Sequence, residues 1–351
     1  AAPPGARITV SALCQPWRAM ATEVRTRSAP PILLKLSLLR LSVFGAARGV
    51  CGSVTVTVTA APPPPPPPLA AGRRGGVTGS TALNLSKDSF SKIGGADRVL
   101  TSVAIARQGW QSAETVILAP GGAANLVDAL AAAPLASQEN APLLIGWGDR
   151  PDPAVVAELN RLGAKKIIAV GALNPNLINA LKAQVPGLEV EELRGANRLA
   201  TALLVGQKTR NPAGVIVVGY DAVADAVSIA PWAAANNYLI QPANADGTFS
   251  GDASLGGYIL GGPTLVRDIP GFTRIYGADR YETNKAIRRT LNFEYENVYT
   301  ADGQTLVDAL TGAALAARTH SPIILLPEND PARGDFTGVT EQSKLYAFGN
   351  R

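Results

Sequence analysis

Beyond residue 51 the sequence contains no cysteine. Cys14 and Cys51 both precede residue 80, so no disulfide framework can hold the 271 residues that follow, and those must rely on a buried core. Histidine is almost missing as well, with His320 alone. A catalytic zinc usually takes three His or carboxylate ligands, which one imidazole does little to supply. His320 also makes no triad with its neighbour Ser321, because adjacent side chains rarely face each other and no orienting acid recurs there. No uncharged apolar stretch approaches the roughly 20 residues of a membrane span. Aromatic residues make up 5% and charged residues 17%, against 46% hydrophobic residues, so the apolar share is mostly aliphatic and alanine. That balance suits small-residue helices packed on aliphatic strands.

The net charge of +5 invites a nucleic-acid reading, but the charge is unevenly placed. Residues 1–80 hold nine Lys and Arg against the single acid Glu23, a net +8, which leaves the remainder at −3. A mildly acidic body lacks the basic face that phosphate-backbone binding needs. Within the basic segment, 25–47 (RTRSAPPILLKLSLLRLSVFGAA) has the layout of a secretory signal, interrupted by Lys35 and Arg40. Seven prolines at 62–68 predict a polyproline rod of about 22 Å. Residues 1–80 therefore read as a signal-like segment and linker, and the folded body is expected to begin between Thr81 and Ile93.

That body repeats. GADRVLT at 95–101, GANRLAT at 195–201 and GADRYET at 277–283 share G-A-[DN]-R-x-x-T. A second element follows each at a nearly constant distance: Asp128, Asp225 and Asp308 lie 31, 28 and 29 residues after Asp97, Asn197 and Asp279. Each copy then adds an aliphatic strand (APLLIG, NYLIQ, SPIILL) and a strand ending in glycine (KIIAVG, YILGG, KLYAFG). Continuous apolar strands alternating with helices predict parallel strands buried on both faces and joined by right-handed crossovers. The fold class is thus α/β, with three tandem Rossmann-like units at 81–194, 195–276 and 277–351. The second copy lacks a counterpart of the helix predicted at 151–163. The third stops after its YAFG strand, without a closing helix and strand.

These strings resemble the cell-wall-binding repeat type 2 family of surface-layer-associated and autolysin proteins in clostridia and bacilli, over about residues 93–351. The resemblance implies three copies in a pseudo-threefold triangle, a secreted protein at the cell wall, and a module without catalysis, cofactor, metal or transmembrane span. The implied partner is an anionic wall polysaccharide or teichoic-acid-like polymer, together with other surface-layer proteins and no nucleic acid. Two alternatives are the wall-binding part of an N-acetylmuramoyl-L-alanine amidase or other autolysin, and a self-assembling surface-layer protein. Asn197 where the family has Asp, and Trp232 in place of Leu, depart from the pattern.

Arg98, Arg198 and Arg280 recur at one place in each copy. A guanidinium fork there suits phosphate or carboxylate of a polymer, or else an acid of a neighbouring copy. Lys165 and Lys166 join them as polymer-binding candidates, although a solvated pair before a strand also explains them. Asp97, Asn197 and Asp279 read as helix caps. Thr101, Thr201 and Thr283 are repeat-motif positions, and Asp128, Asp225 and Asp308 suit the first turns of alanine-rich helices, where a carboxylate complements the dipole. The loop PGGAAN at 120–125 is not a G-x-G-x-x-G, which argues against nucleotide binding.

Overall fold

A computed structural model describes residues 7–10, 54–57 and 85–349 apart from 123–125, with the backbone alone for 7–10, 54–57, Val127 and Asp128. The signal-like stretch and the proline rod lie outside the described residues. Contacts divide the chain into two units, 1–61 and 62–351. In the first, β1 (Arg7–Val10) pairs antiparallel with β2 (Val54–Thr57).

The second unit holds three parallel four-stranded sheets. In the first copy β4 (Thr115–Pro120), β5 (Leu143–Gly146), β6 (Lys166–Val170) and β7 (Glu189–Leu193) take the order β5-β4-β6-β7. In the second, β8 (Gly214–Gly219), β9 (Tyr238–Ala243), β10 (Gly257–Leu260) and β11 (Phe272–Ile275) take the order β9-β8-β10-β11. The inner strands are buried along most of their length, as Val, Ile and Leu runs covered on both faces must be.

The third sheet corrects one expectation. Its own strands are β12 (Asn297–Asp302), β13 (Ile323–Leu326) and β14 (Lys344–Phe348), and its fourth is β3 (Ser91–Ile93) from the other end of the body. β3 runs parallel to β14 with Ile93 opposite Phe348. The rule is uniform: a strand immediately before each G-A-[DN]-R motif completes the preceding sheet, and before the first motif that sheet is the third. Three residues, SKI, are too short to show a period, so this strand left no pattern in the sequence.

Helices α1 (Arg98–Gly109), α6 (Arg198–Lys208) and α8 (Arg280–Thr290) follow the three motifs. The second elements form α2 (Leu126–Leu130) and α3 (Ala133–Gln138) in the first copy, α7 (Val223–Asn236) in the second and α9 (Val307–Ala317) in the third. Among the described residues only the first copy has such helices as α4 (Pro153–Leu162) and α5 (Pro175–Gln184). In the other two, short 3-10 turns stand between the outer strand and the next, at Ala253–Leu255, Pro327–Asn329 and Pro331–Arg333.

Helix α9 is buried at every position from Ala309 to Ala317, and α7 from Ala224 to Ala234, so neither has a solvent face. They pack on each other and both pack on α3, while α6 lies on α2, α8 on α7 and α1 on α9. Each copy's first helix therefore leans on the central helix of the copy before it, cyclically. Side chains tie the ends of these helices across copies. Gln138 Nε2 donates to Arg210 O at 2.7 Å and to Asn237 Oδ1 at 2.6 Å. Arg318 donates to Asn140 Oδ1 and stacks on Trp110 at 5.1 Å.

Gly312 of α9 faces Phe348 of β14: a Cβ there would stand 2.2 Å from the ring. Phe348 is itself buried and stacked on Tyr299 at 5.0 Å, so it cannot withdraw. Gly312→Ala, which helix propensity alone would make stabilising by about 1 kcal/mol, is expected to destabilise by about 1–3 kcal/mol through overpacking. Urea unfolding measures the sign, and Phe348→Leu in the same chain should recover most of the loss.

Candidate functional site

The repeated motif is a compact hydrogen-bonded turn. The buried threonine hydroxyls accept the N–H of the motif glycine in each copy, Thr101 from Gly95 at 3.1 Å, Thr201 from Gly195 at 3.0 Å and Thr283 from Gly277 at 3.1 Å. The glycines are required by close approach, because a Cβ on any of them would lie 2.3–2.5 Å from the first turn of the helix. Between glycine and threonine, Asp97 and Asn197 accept from Leu100 N and Ala200 N at 2.9 and 3.0 Å, and Asp279 from Tyr281 N and Glu282 N. Asn caps as Asp does, since only a side-chain oxygen is needed.

The turn aims one arginine per copy at the loop after the first strand of the sheet. Arg98 Nη1 donates to Gly121 O, Arg198 Nη1 to Tyr220 O at 2.6 Å, and Arg280 Nη1 to Gly303 O at 2.7 Å. Each guanidinium thus clamps a backbone carbonyl of its own copy. Aromatic rings complete two of the clamps: Arg98 stacks on Trp147 at 5.1 Å and Arg198 on Tyr220 at 4.3 Å. Arg198 also pairs with Asp221, an exposed acid of the same copy.

The recurrent acids sit in the first turns of α7 and α9, at Asp225 and Asp308. The Asp128 side chain lies outside the described residues. Asp225 is buried and meets the next copy: burial pushes its carboxyl up to about 6, partly offset by the Arg280 guanidinium and the Thr283 hydroxyl of the third copy. Glycines leave room for these acids. Gly171, Gly261 and Gly349, which end the second inner strands, have φ of 84°, 92° and 93°, a region that favours glycine. A Cβ on Gly261 would lie 3.0 Å from Asp225 Oδ2, and one on Gly349 2.6 Å from Asp308 Oδ2.

The remaining candidates lie elsewhere. Lys166 faces Thr115 across the β4–β6 pair, at the amino ends of strands whose carboxyl ends carry Gly121, so it does not share a site with Arg98. It pairs with Glu191 at 2.6 Å, and Lys165 pairs with Glu114 at 2.9 Å. His320 occupies the turn before β13 with φ 51°, as Asn140 and Asn237 do at 47° and 57° before β5 and β9. Its place is that of a turn residue. Among the described residues no cluster of His, Cys, Asp and Glu is arranged for a metal ion, and no helix is long and apolar enough to cross a membrane. Sequence reasoning missed Trp147 and Tyr220 as partners of the arginines, and it missed Glu158. Burial raises the pKa of Glu158, but hydrogen bonds from Arg161 and Arg107 outweigh that and hold it below the usual range.

Because Asp225 takes up a proton more readily in the folded chain than in the unfolded one, its contribution to stability is complete below pH 3.8 and is lost as pH rises through about 6. Asn at this position stays neutral throughout. The stability of Asp225→Asn relative to the parent should therefore improve by up to about 3 kcal/mol between pH 4 and 7, read from urea midpoints across that range. Parallel profiles would show that the carboxylate is not desolvated.

The sequence matches the family described as Cell wall binding domain 2 (CWB2) three times, at 92–173, 192–268 and 274–351. It is 30% identical over 283 residues to N-acetylmuramoyl-L-alanine amidase LytC of Bacillus subtilis strain 168, covering 76% of this chain and 56% of LytC. It is 26% identical to the amidase enhancer of the same strain, over 76% of this chain and 40% of that protein. The chain thus spans about half the length of these curated relatives. Cwp6 from Clostridium difficile shares the fold with a TM-score of 0.66 at 24% identity, covering 78% of this chain and 48% of Cwp6. Cwp8 from the same organism gives 0.64 at 26% identity, over 75% of this chain and 49% of its own. With three matched copies, each built on the same glycine–threonine turn and arginine clamp, this chain belongs to the cell wall binding domain 2 family.

Proposed function

We propose that the chain is a non-catalytic module that holds a protein noncovalently on a Gram-positive-type wall by binding anionic secondary polymers. The observation that carries this reading is the presence of three CWB2 copies joined cyclically in one body. Three equivalent edges suit a polymer, whose own repeats can engage them together and gain from effective concentration. Arg98, Arg198 and Arg280 are the proposed contacts: each is half-buried and held at one nitrogen by a loop carbonyl, which fixes the direction of the guanidinium, with the exposed Asp221 beside Arg198 and Asp225 near Arg280. Lys165 and Lys166 are not included, because their ion pairs serve the opposite end of the sheet. The signal-like layout of 25–47 supports export, and the seven consecutive prolines at 62–68 suit a spacer before the module.

The LytC match favours a second reading, in which the chain is the wall-binding part of an autolysin. Both readings expect this chain to bind walls without cleaving them, and one assay tests that. The chain should sediment with purified walls and leave their turbidity unchanged, and retention should drop several-fold as salt rises from about 0.1 to 1 M and screens the arginines. Clearing of the suspension, or release of peptides or amino sugars, would establish catalysis. Retention that ignores salt would remove the anionic polymer.

A further inference from the structure

The first copy differs from the others at the carboxyl edge of its sheet. Strands β5, β9 and β13 end in register with their neighbours, Gly146 opposite Pro120, Ala243 opposite Gly219 and Leu326 opposite Asp302. The next residues, Trp147, Asn244 and Pro327, are therefore equivalent, and only the first is aromatic. Trp147 is 54% exposed although its ring is held from behind. Arg98 stacks on it, and the ring is so close to Gly121 that a Cβ there would stand 2.7 Å from Trp147 Cε3. An exposed tryptophan fixed by a guanidinium and a backbone is a rigid platform rather than a mobile surface side chain.

Beside this platform lies a cleft of about 180 Å³, with Asp97, Trp147, Arg150 and Asp152 among its lining and an apolar floor that includes Val155 and Leu177. The floor comes partly from α4 and α5, which have no counterpart among the described residues of the second and third copies. Asp97 and Asp152 each commit Oδ1 to a helix amide and so are fixed in direction. Arg150 has no ion-pair partner among the described residues. The charges are mixed, with two aspartates against one or two arginines, so the cleft is poorly suited to a bare phosphate. An indole face bordered by carboxylates matches a sugar instead: the C–H face of a pyranose is apolar, and its hydroxyls donate to carboxylate oxygens.

We propose that the Trp147 cleft is a saccharide subsite of the first copy, which stacks one uncharged pyranose unit of the wall glycan on the indole while its hydroxyls donate to Asp97 and Asp152. This rests on the wall-binding reading and deepens it: the arginines of the three copies answer to charge, whereas this cleft answers to the sugar. Binding there should survive salt that screens the arginines.

The test uses the full chain and wall saccharides freed of phosphate with hydrofluoric acid, with inorganic phosphate as the second probe. The saccharides should change tryptophan fluorescence saturably, and the change should persist at about 0.5 M salt and disappear in Trp147→Ala. Inorganic phosphate should produce none of it. Wall retention of Trp147→Ala at that salt should fall about fivefold or more, while Tyr276→Ala, which removes an equally exposed ring (52%) outside the cleft, leaves it unchanged. Far-ultraviolet circular dichroism checks that both variants fold. Saccharide binding unaltered by Trp147→Ala, no saccharide response in the parent, or an equal response to phosphate would each overturn the subsite. If the parent fails to sediment with walls at low salt, the wall-binding reading itself falls, whatever the fluorescence shows.

Discussion

The packing of alanine-rich helices at the centre governs everything outside it. Helices α7 and α9 are buried around their whole circumference, and one sheet can cover only one side of each. The other side has to be covered by the equivalent helices of other copies. Small side chains make that possible, because alanine and Gly312 let neighbouring elements approach closely; the ring of Phe348 fills the space Gly312 leaves. A single copy would expose a large apolar face, which is why a repeat of this kind is stable only as a set.

The repeated strings follow from that packing. Each first helix has to start at a fixed point to lie between its own outer strand and the central helix of the copy before it. The glycine–threonine turn sets that starting point, and the arginine then fastens the adjacent loop by its carbonyl. Where Arg280 and Thr283 meet Asp225, the start of one copy is coupled electrostatically to the centre of another. Electrostatics, capping and helix packing thus act on the same few residues, and the surface that remains free at the strand ends is the part available to a ligand.

Much of this was legible in the sequence because it was written three times. The spacing from Asp97 to Asp128, repeated from Asn197 to Asp225 and from Asp279 to Asp308, exposed the units, and the aliphatic runs gave their strands a parallel arrangement. Two kinds of feature were not legible. The pairing of β3 with β14 joins residues at opposite ends of the body, and three residues carry no periodicity. The partners of the arginines were hidden for the opposite reason: Gly121 and Gly303 act through backbone carbonyls, which no residue type announces. Trp147 occurs in one copy only, so a search for what recurs passes over it.

The three copies form one cooperative body closed by β3 rather than three independent modules in a row. Hydrogen exchange along a urea series resolves this, because amides of α3, α7 and α9 report the three copies separately. All three helices should lose protection together at one denaturant concentration, and Ile93→Asp, which places a charge at the β3–β14 junction, should move that concentration down for all three alike. Loss of α9 protection well before that of α3 and α7, with the first two copies unaffected by Ile93→Asp, would contradict it.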